Sequence, residues 1–264
     1  MRRHILYVSL GALSVVFFIL LIAGGHVNGF IGSFSQIESG FEEIDESLSL
    51  DPLPFLDPYV NWKRPDGPVR VGIQAGHWYA SEAPDEQEGL RDNTGAQASG
   101  FTEWEANLRI AEETKKLLEA KGIIADLLPT TIPPGYLADA FISIHADGST
   151  DTTINGYKIA SPRRDRSGKA QQLSDLIQAR YGSSTLLSVS DTVTRNMRGY
   201  YAFSSRRYEH SIHPMTPGAI LETGFISSVK DRKIIISNPK RAAQGIADGI
   251  IAFLQVTTPD LISK

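Results

Sequence analysis

The sequence predicts an α/β protein, in which a three-layer domain with a central mixed sheet flanked by helices follows an N-terminal transmembrane helix. Short β-branched runs alternate with longer amphipathic segments, which is the typical order of strands and helices in such domains. An apolar run of bilayer length stands at the N-terminus. With 264 residues and 41% hydrophobic composition, the chain is long enough for one sizeable domain with appendages.

Charge and cysteine content exclude several functions. A formal net charge of -4 and a pI near 5.9 give no sign of a surface for polyanions, so nucleic acid is a poor candidate partner. Because cysteine is absent, the chain has no disulfide, no thiolate nucleophile and no thiolate metal ligand. Any metal must therefore be held by histidine and carboxylate.

Residues 1–25 predict a membrane anchor or a signal segment. Arg2 and Arg3 precede a nearly unbroken apolar run, and acidic residues follow it, which places the rest of the chain outside the cytoplasm. A bilayer needs roughly 20 apolar residues, whereas the apolar part of a cleaved signal has about 7 to 15, so an uncleaved anchor is favoured. Cleavage near Ala23 is the alternative and would give a secreted protein.

Residues 26–67 are acidic and contain serine, glycine and several prolines, which predicts a linker. The apolar residues within 55–62 could instead dock on the domain, and the sequence does not decide between the two. The catalytic domain is predicted over 68–258.

Three short apolar runs predict buried strands, and each leads directly towards a polar residue. Ligands of open α/β sheets bind at the carboxyl ends of the strands, so these polar residues are candidates for a site. A single histidine in such a position is more often a plain loop residue, and the hypothesis therefore depends on the whole set. The pairs are 69–73 with His77, 140–144 with His145, and 219–221 with Glu222.

The best-defined helix is predicted over 103–121, because Thr102 and Glu105 have the spacing of a capping box and Gly122 supplies the stop. Helical periodicity places Glu103 on the inward face, where an unpaired charge costs several kcal/mol. Glu103 must then be paired, protonated or bound to a metal, although acids are also favoured in a first turn by the helix dipole. Further helices are predicted over 169–181, 229–235 and 239–254.

Four polar residues together predict a zinc-hydrolase site: His77, Glu103, His145 and Glu222. Two imidazoles and one carboxylate leave a fourth position on Zn²⁺ open for water. A second carboxylate can then transfer the proton.

The segments around these residues resemble the zinc-dependent N-acetylmuramoyl-L-alanine amidases, the cell-wall enzymes with a type-3 amidase domain. The resemblance extends over roughly residues 69–254. It rests on four short motifs, which are Ala75-Gly76-His77, Glu103 with Asn107-Leu108 and Ile110-Ala111, Ser143-Ile144-His145-Ala146-Asp147, and Leu221-Glu222 with Gly224-Phe225-Ile226-Ser227 and Asp231 behind.

This resemblance implies that His77, Glu103 and His145 hold Zn²⁺ and that Glu222 is the catalytic carboxylate. It implies hydrolysis of the amide bond between N-acetylmuramic acid and the L-alanine of peptidoglycan. The expected partners are then the stem peptide and glycan of peptidoglycan, together with the membrane through the N-terminal helix.

The chain also departs from the family. Trp78 and Tyr79 follow the first histidine where the family usually has glycines, which would narrow the approach to the metal. Residues 123–139 are shorter than the corresponding family segment. Residues 148–217 are long, and in some relatives an element in this region covers the site until a partner moves it. The sequence identifies neither such a lid nor an activator protein.

Two other functions remain open at this stage. A zinc carboxypeptidase or endopeptidase would use the same four residues on a different bond, and a catalytically silent peptidoglycan-binding regulator would not need all of them. His210 and His213 have a spacing that can chelate metal, but a surface loop is the simpler interpretation. The simplest interpretation of the arginines is a solvent-exposed face, although one or two could bind stem-peptide carboxylates. These arginines are Arg163, Arg164, Arg166, Arg195, Arg198, Arg206 and Arg207.

Overall fold

The computed structural model describes residues 57–262. The predicted membrane segment and linker residues 26–56 lie outside this range. One compact unit begins at Trp62, and within it Trp62 stacks on His213 while Arg64 forms an ion pair with Asp139. The last residues of the predicted linker therefore already contact the domain. Among residues 57–262, no helix is long and apolar enough to cross a membrane.

A five-stranded mixed sheet forms the centre of the domain, with the strand order β4-β1-β5-β7-β6. Neighbouring strands run parallel except for β6, which is antiparallel to β7. The short strands β2 and β3 form a separate antiparallel pair. The strand bounds are Arg70–Ala75 (β1), Gln97–Ala98 (β2), Phe101–Thr102 (β3), Ile124–Leu128 (β4), Ala140–Asp147 (β5), Lys158–Ala160 (β6) and Gly218–Phe225 (β7).

Three long helices pack together: α5 lies against both α1 and α2. Close approach requires a glycine here, because a Cβ on Gly249 would lie 2.5 Å from the Cα of Ile177. Short 3-10 segments occur at Ala80–Glu82, Asp85–Leu90 and Tyr201–Phe203. The helix bounds are Glu103–Glu119 (α1), Ala170–Thr185 (α2), Arg195–Arg198 (α3), Val229–Ile235 (α4), Pro239–Thr257 (α5) and Pro259–Ile262 (α6).

The two faces of the sheet pack against different parts of the chain. Successive strand residues point to opposite faces. Residues such as Ile142 and Ile144 belong to the main core, which includes the buried faces of the long helices. Phe141 points to the other face and packs with residues from the segments 132–138 and 200–212. The predicted α/β class with a mixed central sheet is confirmed.

Within residues 57–262 the predicted strands and helices are present; the helix Val229–Ile235 has the predicted ends, and the other elements have shifted ends. The chain reverses at Gly122 as predicted, with φ of 75°, although α1 itself ends at Glu119. The capping box is wrong in detail: Thr102 is the N-cap, but its hydroxyl donates to the Glu105 carboxylate (2.6 Å) instead of accepting from the helix backbone. The strands β4 and β6 were not predicted.

Candidate metal centre

Two imidazole nitrogens meet one carboxylate oxygen at the carboxyl end of the sheet. Oε1 of Glu103 lies 3.3 Å from Nε2 of His77 and 3.0 Å from Nδ1 of His145. The ligand atoms of these three residues all lie within 4.8 Å of one another. Within residues 57–262, this is the group of histidines and acids that is placed to hold a metal.

Local backbone structure determines where each of these side chains lies. The chain turns sharply after β1, where His77 adopts a left-handed conformation with φ of 66°, which L-residues rarely adopt. Gly76 donates its N–H to the carbonyl of Ile144 (2.9 Å), which ties this turn to β5. Glu103 is the first residue of α1, and His145 lies within β5.

The protonation pattern of His77 is fixed by its second nitrogen. Nδ1 lies 2.9 Å from the carbonyl oxygen of Asn93, and a carbonyl can only accept a hydrogen bond. Nδ1 must therefore carry the proton of the neutral ring, which leaves a lone pair on Nε2 towards Glu103. A histidine oriented in this way by a carbonyl is typical of metal ligands.

Glu103 presents one oxygen to the centre and has its other oxygen bound elsewhere. Oε2 accepts from the N–H of Ala96 (2.7 Å), while Oε1 accepts from the N–H of Ala146 (3.1 Å). Burial acts to raise the pKa of Glu103, but the hydrogen bonds from His145 and His77 outweigh it and hold the pKa well below its usual range. Glu103 is therefore a buried carboxylate that requires positive charge beside it.

The donor set fits a borderline transition-metal ion. Two imidazole nitrogens and one carboxylate oxygen suit Zn²⁺, whereas calcium and magnesium take oxygen ligands. Burial lowers the pKa of His77, but the Glu103 carboxylate raises it above its ordinary value overall. A proton or a metal ion would each supply the positive charge, and a metal ion must displace such a proton to bind.

Glu222 lies directly beside this cluster. It pairs in register with His145 on β5 and with Lys158 on β6, so all three side chains share one face of the sheet. Burial raises the pKa of Glu222 well above its ordinary value, and the carboxylates of Asp147 and Glu103 add to this effect while Lys158 opposes it. Lys158 forms an ion pair with Asp147.

Two cavities open beside the histidine pair, and both are lined by His77 and His145. One has a volume of about 260 Å³ and is lined by Asp147 and Glu222. The other has a volume of about 360 Å³ and is lined by Tyr200 and residues around it. The cluster therefore lies between an acidic cavity and a mostly uncharged one.

The other histidines and the arginines singled out in the sequence lie away from the cluster. His210 contacts the Glu86 carboxylate through Nδ1 (2.8 Å), and His213 stacks on Trp62. Tyr79 is exposed and its ring lies 4.8 Å from that of Trp78, next to His77. All the named arginines are exposed, which agrees with a solvated face; they are Arg163, Arg164, Arg166, Arg195, Arg198, Arg206 and Arg207.

Residues 130–252 match the family model described as N-acetylmuramoyl-L-alanine amidase. Over these residues the chain is similar to the amidase family. The matched segment contains His145 and Glu222 but begins after His77 and Glu103. In the folded chain, His77 and Glu103 nevertheless lie next to His145, which belongs to the matched segment.

Solved amidase structures have the same fold. The amidase AmiC2 of Nostoc punctiforme is 20% identical with a TM-score of 0.50, and the match covers 72% of this chain and 99% of that one. Ami1 of Mycobacterium smegmatis is 16% identical with a TM-score of 0.52, covering 71% and 97%. The CwlD amidase of Clostridioides difficile, solved with the GerS lipoprotein, is 19% identical with a TM-score of 0.50, covering 71% and 99%. No curated protein sequence matches the chain.

Several groups around the cluster were not predicted from the sequence. Asn107 is buried in α1, and its side-chain amide donates to the carbonyl of Gly76 (3.1 Å). Gln74 could have been singled out from the sequence, because it is a polar residue inside a buried strand. Tyr200 and the carbonyl of Asn93 have none, because Tyr200 comes from a loop 55 positions from His145 and the Asn93 group belongs to the backbone.

Proposed function

We propose that this protein is a zinc amidase that hydrolyses the amide bond between N-acetylmuramic acid and L-alanine in peptidoglycan. His77, Glu103 and His145 would hold the zinc, and Glu222 is the catalytic carboxylate. The convergence of two imidazole nitrogens on one oxygen of a buried carboxylate carries this proposal. The match of residues 130–252 to the amidase family model supports the bond and the substrate.

Bound zinc would supply a Lewis acid for the amide carbonyl and would lower the pKa of a coordinated water to about 7. Glu222 accepts the proton of the attacking water on its carboxylate. It returns that proton to the leaving alanine nitrogen as the C–N bond breaks. The products are the lactyl carboxylate of N-acetylmuramic acid and a stem peptide with a free amino group, so atoms and protons balance.

The environment of Glu222 suits a group that must hold a proton between two steps. Burial and the neighbouring carboxylates of Asp147 and Glu103 raise its pKa, so the protonated form is stable in the metal-free site. Positive charge at the centre shifts the balance towards the ionised form, which is the one that accepts a proton. Lys158 and Asp147 neutralise one another beside it.

Zinc content tests the ligand assignment. The full-length chain, purified in detergent without added metal, is expected to contain about one zinc per chain. Replacement of both His77 and His145 by alanine should remove it. Replacement of His210 and His213, which lie outside the cluster, is the matched control and should leave the zinc in place. Zinc that survives the first double replacement would overturn the assignment.

The products of peptidoglycan digestion separate the amidase from other envelope hydrolases. An amidase releases intact stem peptides, whereas a carboxypeptidase or endopeptidase shortens or cuts the peptides and leaves the muramoyl amide in place. A silent binding module gives neither product. Digestion with and without chelator, followed by mass spectrometry, distinguishes the three outcomes.

The proposal includes a location. Residues 1–25 anchor the chain in the cytoplasmic membrane, and residues 26–67 link the anchor to a catalytic domain over 68–258 on the outer side, where peptidoglycan is found. Protease added to spheroplasts should then degrade the domain. A domain that resists protease until the membrane is lysed would contradict this location, and a soluble full-size domain in the medium would indicate cleavage of the N-terminal segment.

A further inference from the structure

We infer that Lys158 is a positioning residue for the metal centre: it holds the Asp147 carboxylate away from the three proposed ligands, so that the fourth position on the metal stays open for water. This inference rests on the proposed function, because it assumes that His77, Glu103 and His145 hold a metal ion. It gives a role to a buried ion pair that takes no part in the proposed proton transfer.

The Asp147 carboxylate opens onto the same cavity as the proposed ligands. This cavity of about 260 Å³ is lined by Asp147 and Glu222 together with all three ligands. A carboxylate oxygen is a common zinc ligand, and a zinc ion with four protein ligands has no position left for water. The Asp147 carboxylate must therefore be kept away from the metal if the site is to be catalytic.

The order of the strands shows in which direction Lys158 draws Asp147. In the sheet, β6 lies beyond β7, on the side of β5 that faces away from β1. His77 follows β1, whereas Lys158 belongs to β6. The ion pair between Lys158 and Asp147 therefore spans β7 and directs the Asp147 carboxylate away from His77. In the part of the chain that the structure describes, the candidate ligand group has three members, and Asp147 is not one of them.

Lys158 is itself held in one place. Its side chain is only 7% exposed, and a buried ammonium group needs a partner of opposite charge. The Phe225 ring supplies a second contact, with the ammonium nitrogen 5.5 Å from the ring centroid. Phe225 pairs in register with Asp147 on the neighbouring strand, so the two partners of the ammonium group lie side by side. The Asp147 carboxylate is thus bound to a group that has little freedom to move.

Removal of the ammonium group should release the Asp147 carboxylate towards the metal. In Lys158→Met the side chain keeps a similar length and an apolar stem but carries no charge. The metal ion then offers the positive charge that Asp147 has lost, and a carboxylate that binds there would displace the coordinated water. Addition of Asp147→Asn removes the competing carboxylate and should open the position again.

The cobalt-loaded full-length chain in detergent reports on the open position, because Co²⁺ in place of zinc gives a visible absorption spectrum that changes with its ligands. Acetohydroxamate, a small compound that binds such ions, is titrated into each variant, and the spectral change gives its affinity. In Lys158→Met this affinity should fall at least about 10-fold, since a tethered carboxylate competes at an effective concentration in the millimolar range or above. Lys158→Met combined with Asp147→Asn should bind acetohydroxamate as tightly as the wild type.

Lys115→Met is the matched control. Lys115 also forms an ion pair with a carboxylate, that of Glu119, but on α1 and outside the cluster. Its replacement should leave the affinity for acetohydroxamate at the wild-type value. An ordinary structural ion pair at Lys158 would behave in the same way, so equal affinities in Lys158→Met and Lys115→Met would overturn the inference.

Asp147→Asn alone keeps the inference testable if Lys158→Met does not fold. Because Asp147 is not a ligand in the wild type, Asp147→Asn should bind acetohydroxamate as tightly as the wild type. A clearly higher affinity in Asp147→Asn would show that the Asp147 carboxylate already occupies the open position, and would overturn the inference. A wild-type chain that binds neither cobalt nor zinc would instead overturn the proposed function.

Discussion

Gly76→Ala should disturb the metal centre through a single added methyl group. A Cβ at this position would lie 2.3 Å from Cε1, 2.5 Å from Nε2 and 2.6 Å from Nδ1 of His145. The closest of these is roughly 1 Å shorter than an ordinary contact between carbon atoms, which is about 3.5 Å. The turn itself is tied to β5 by the Gly76 N–H, so the His145 ring must move.

The magnitude of the expected effect follows from the hydrogen bonds that the His145 ring would lose. A shift of roughly 1 Å breaks hydrogen bonds that are 3.0 Å long to Tyr200 and Glu103, and overpacking of this kind costs about 1–3 kcal/mol of stability. Misplacing one ligand should also lower zinc affinity by about 10- to 100-fold, as loss of an orienting partner does.

Two measurements on the full-length chain check this prediction: chelator competition for zinc affinity, and urea unfolding of the metal-free protein. Gly89→Ala is the matched control, because a Cβ there would meet no atom within 4 Å. If Gly76→Ala bound zinc as tightly as Gly89→Ala and unfolded at the same urea concentration, the close packing of Gly76 against His145 would be wrong.

Three further predictions follow from the structure. Because Glu103 raises the pKa of His77, zinc must displace a proton at low pH, so apparent zinc affinity should decrease steadily from about pH 8 to pH 5; a constant affinity across this range would contradict the assignment. Asp231→Ala leaves the buried N–H groups of Gly156 and Phe225 without their acceptor and should lower the free energy of unfolding by about 1–3 kcal/mol for each, whereas Asp231→Asn should lose less; equal losses would refute this role. Glu105→Ala removes only a contact with the N-cap hydroxyl, so it should cost less than about 1 kcal/mol and leave zinc binding unchanged.

Periodicity predicted the long elements well because each has one buried face over many residues. The helix behind Thr102 shows this, since its inward residues Asn107 and Ile110 are fully buried. The strand Ile124–Leu128 was missed because Asp126 interrupts its apolar run, and that acid is paired with Arg70 on the neighbouring strand. Lys158–Ala160 is too short for any periodicity to be visible.

The proposed ligands could be predicted because each lies at the end of a recognisable element: His77 after β1, His145 in β5 and Glu103 at the start of α1. The side chains that orient these ligands could not be predicted, because they come close to the ligands only in the folded chain. Tyr200 and Gln74 are 126 positions apart in the chain yet share a hydrogen bond. The oxygen that orients His77 belongs to the backbone and leaves no signal in side-chain chemistry.

In the proposed function, this chain cleaves the muramoyl amide with Glu222 as the proton carrier. The most direct test is mass spectrometry of purified muropeptides digested by the zinc-loaded full-length chain and by Glu222→Gln at equal zinc content. The wild type is expected to release intact stem peptides with a free L-alanine amino group. Glu222→Gln is expected to keep its zinc but to be slower by at least about 100-fold, because an amide cannot relay a proton. Stem peptides that are shortened while still attached to N-acetylmuramic acid, or a Glu222→Gln variant as fast as the wild type, would refute this mechanism.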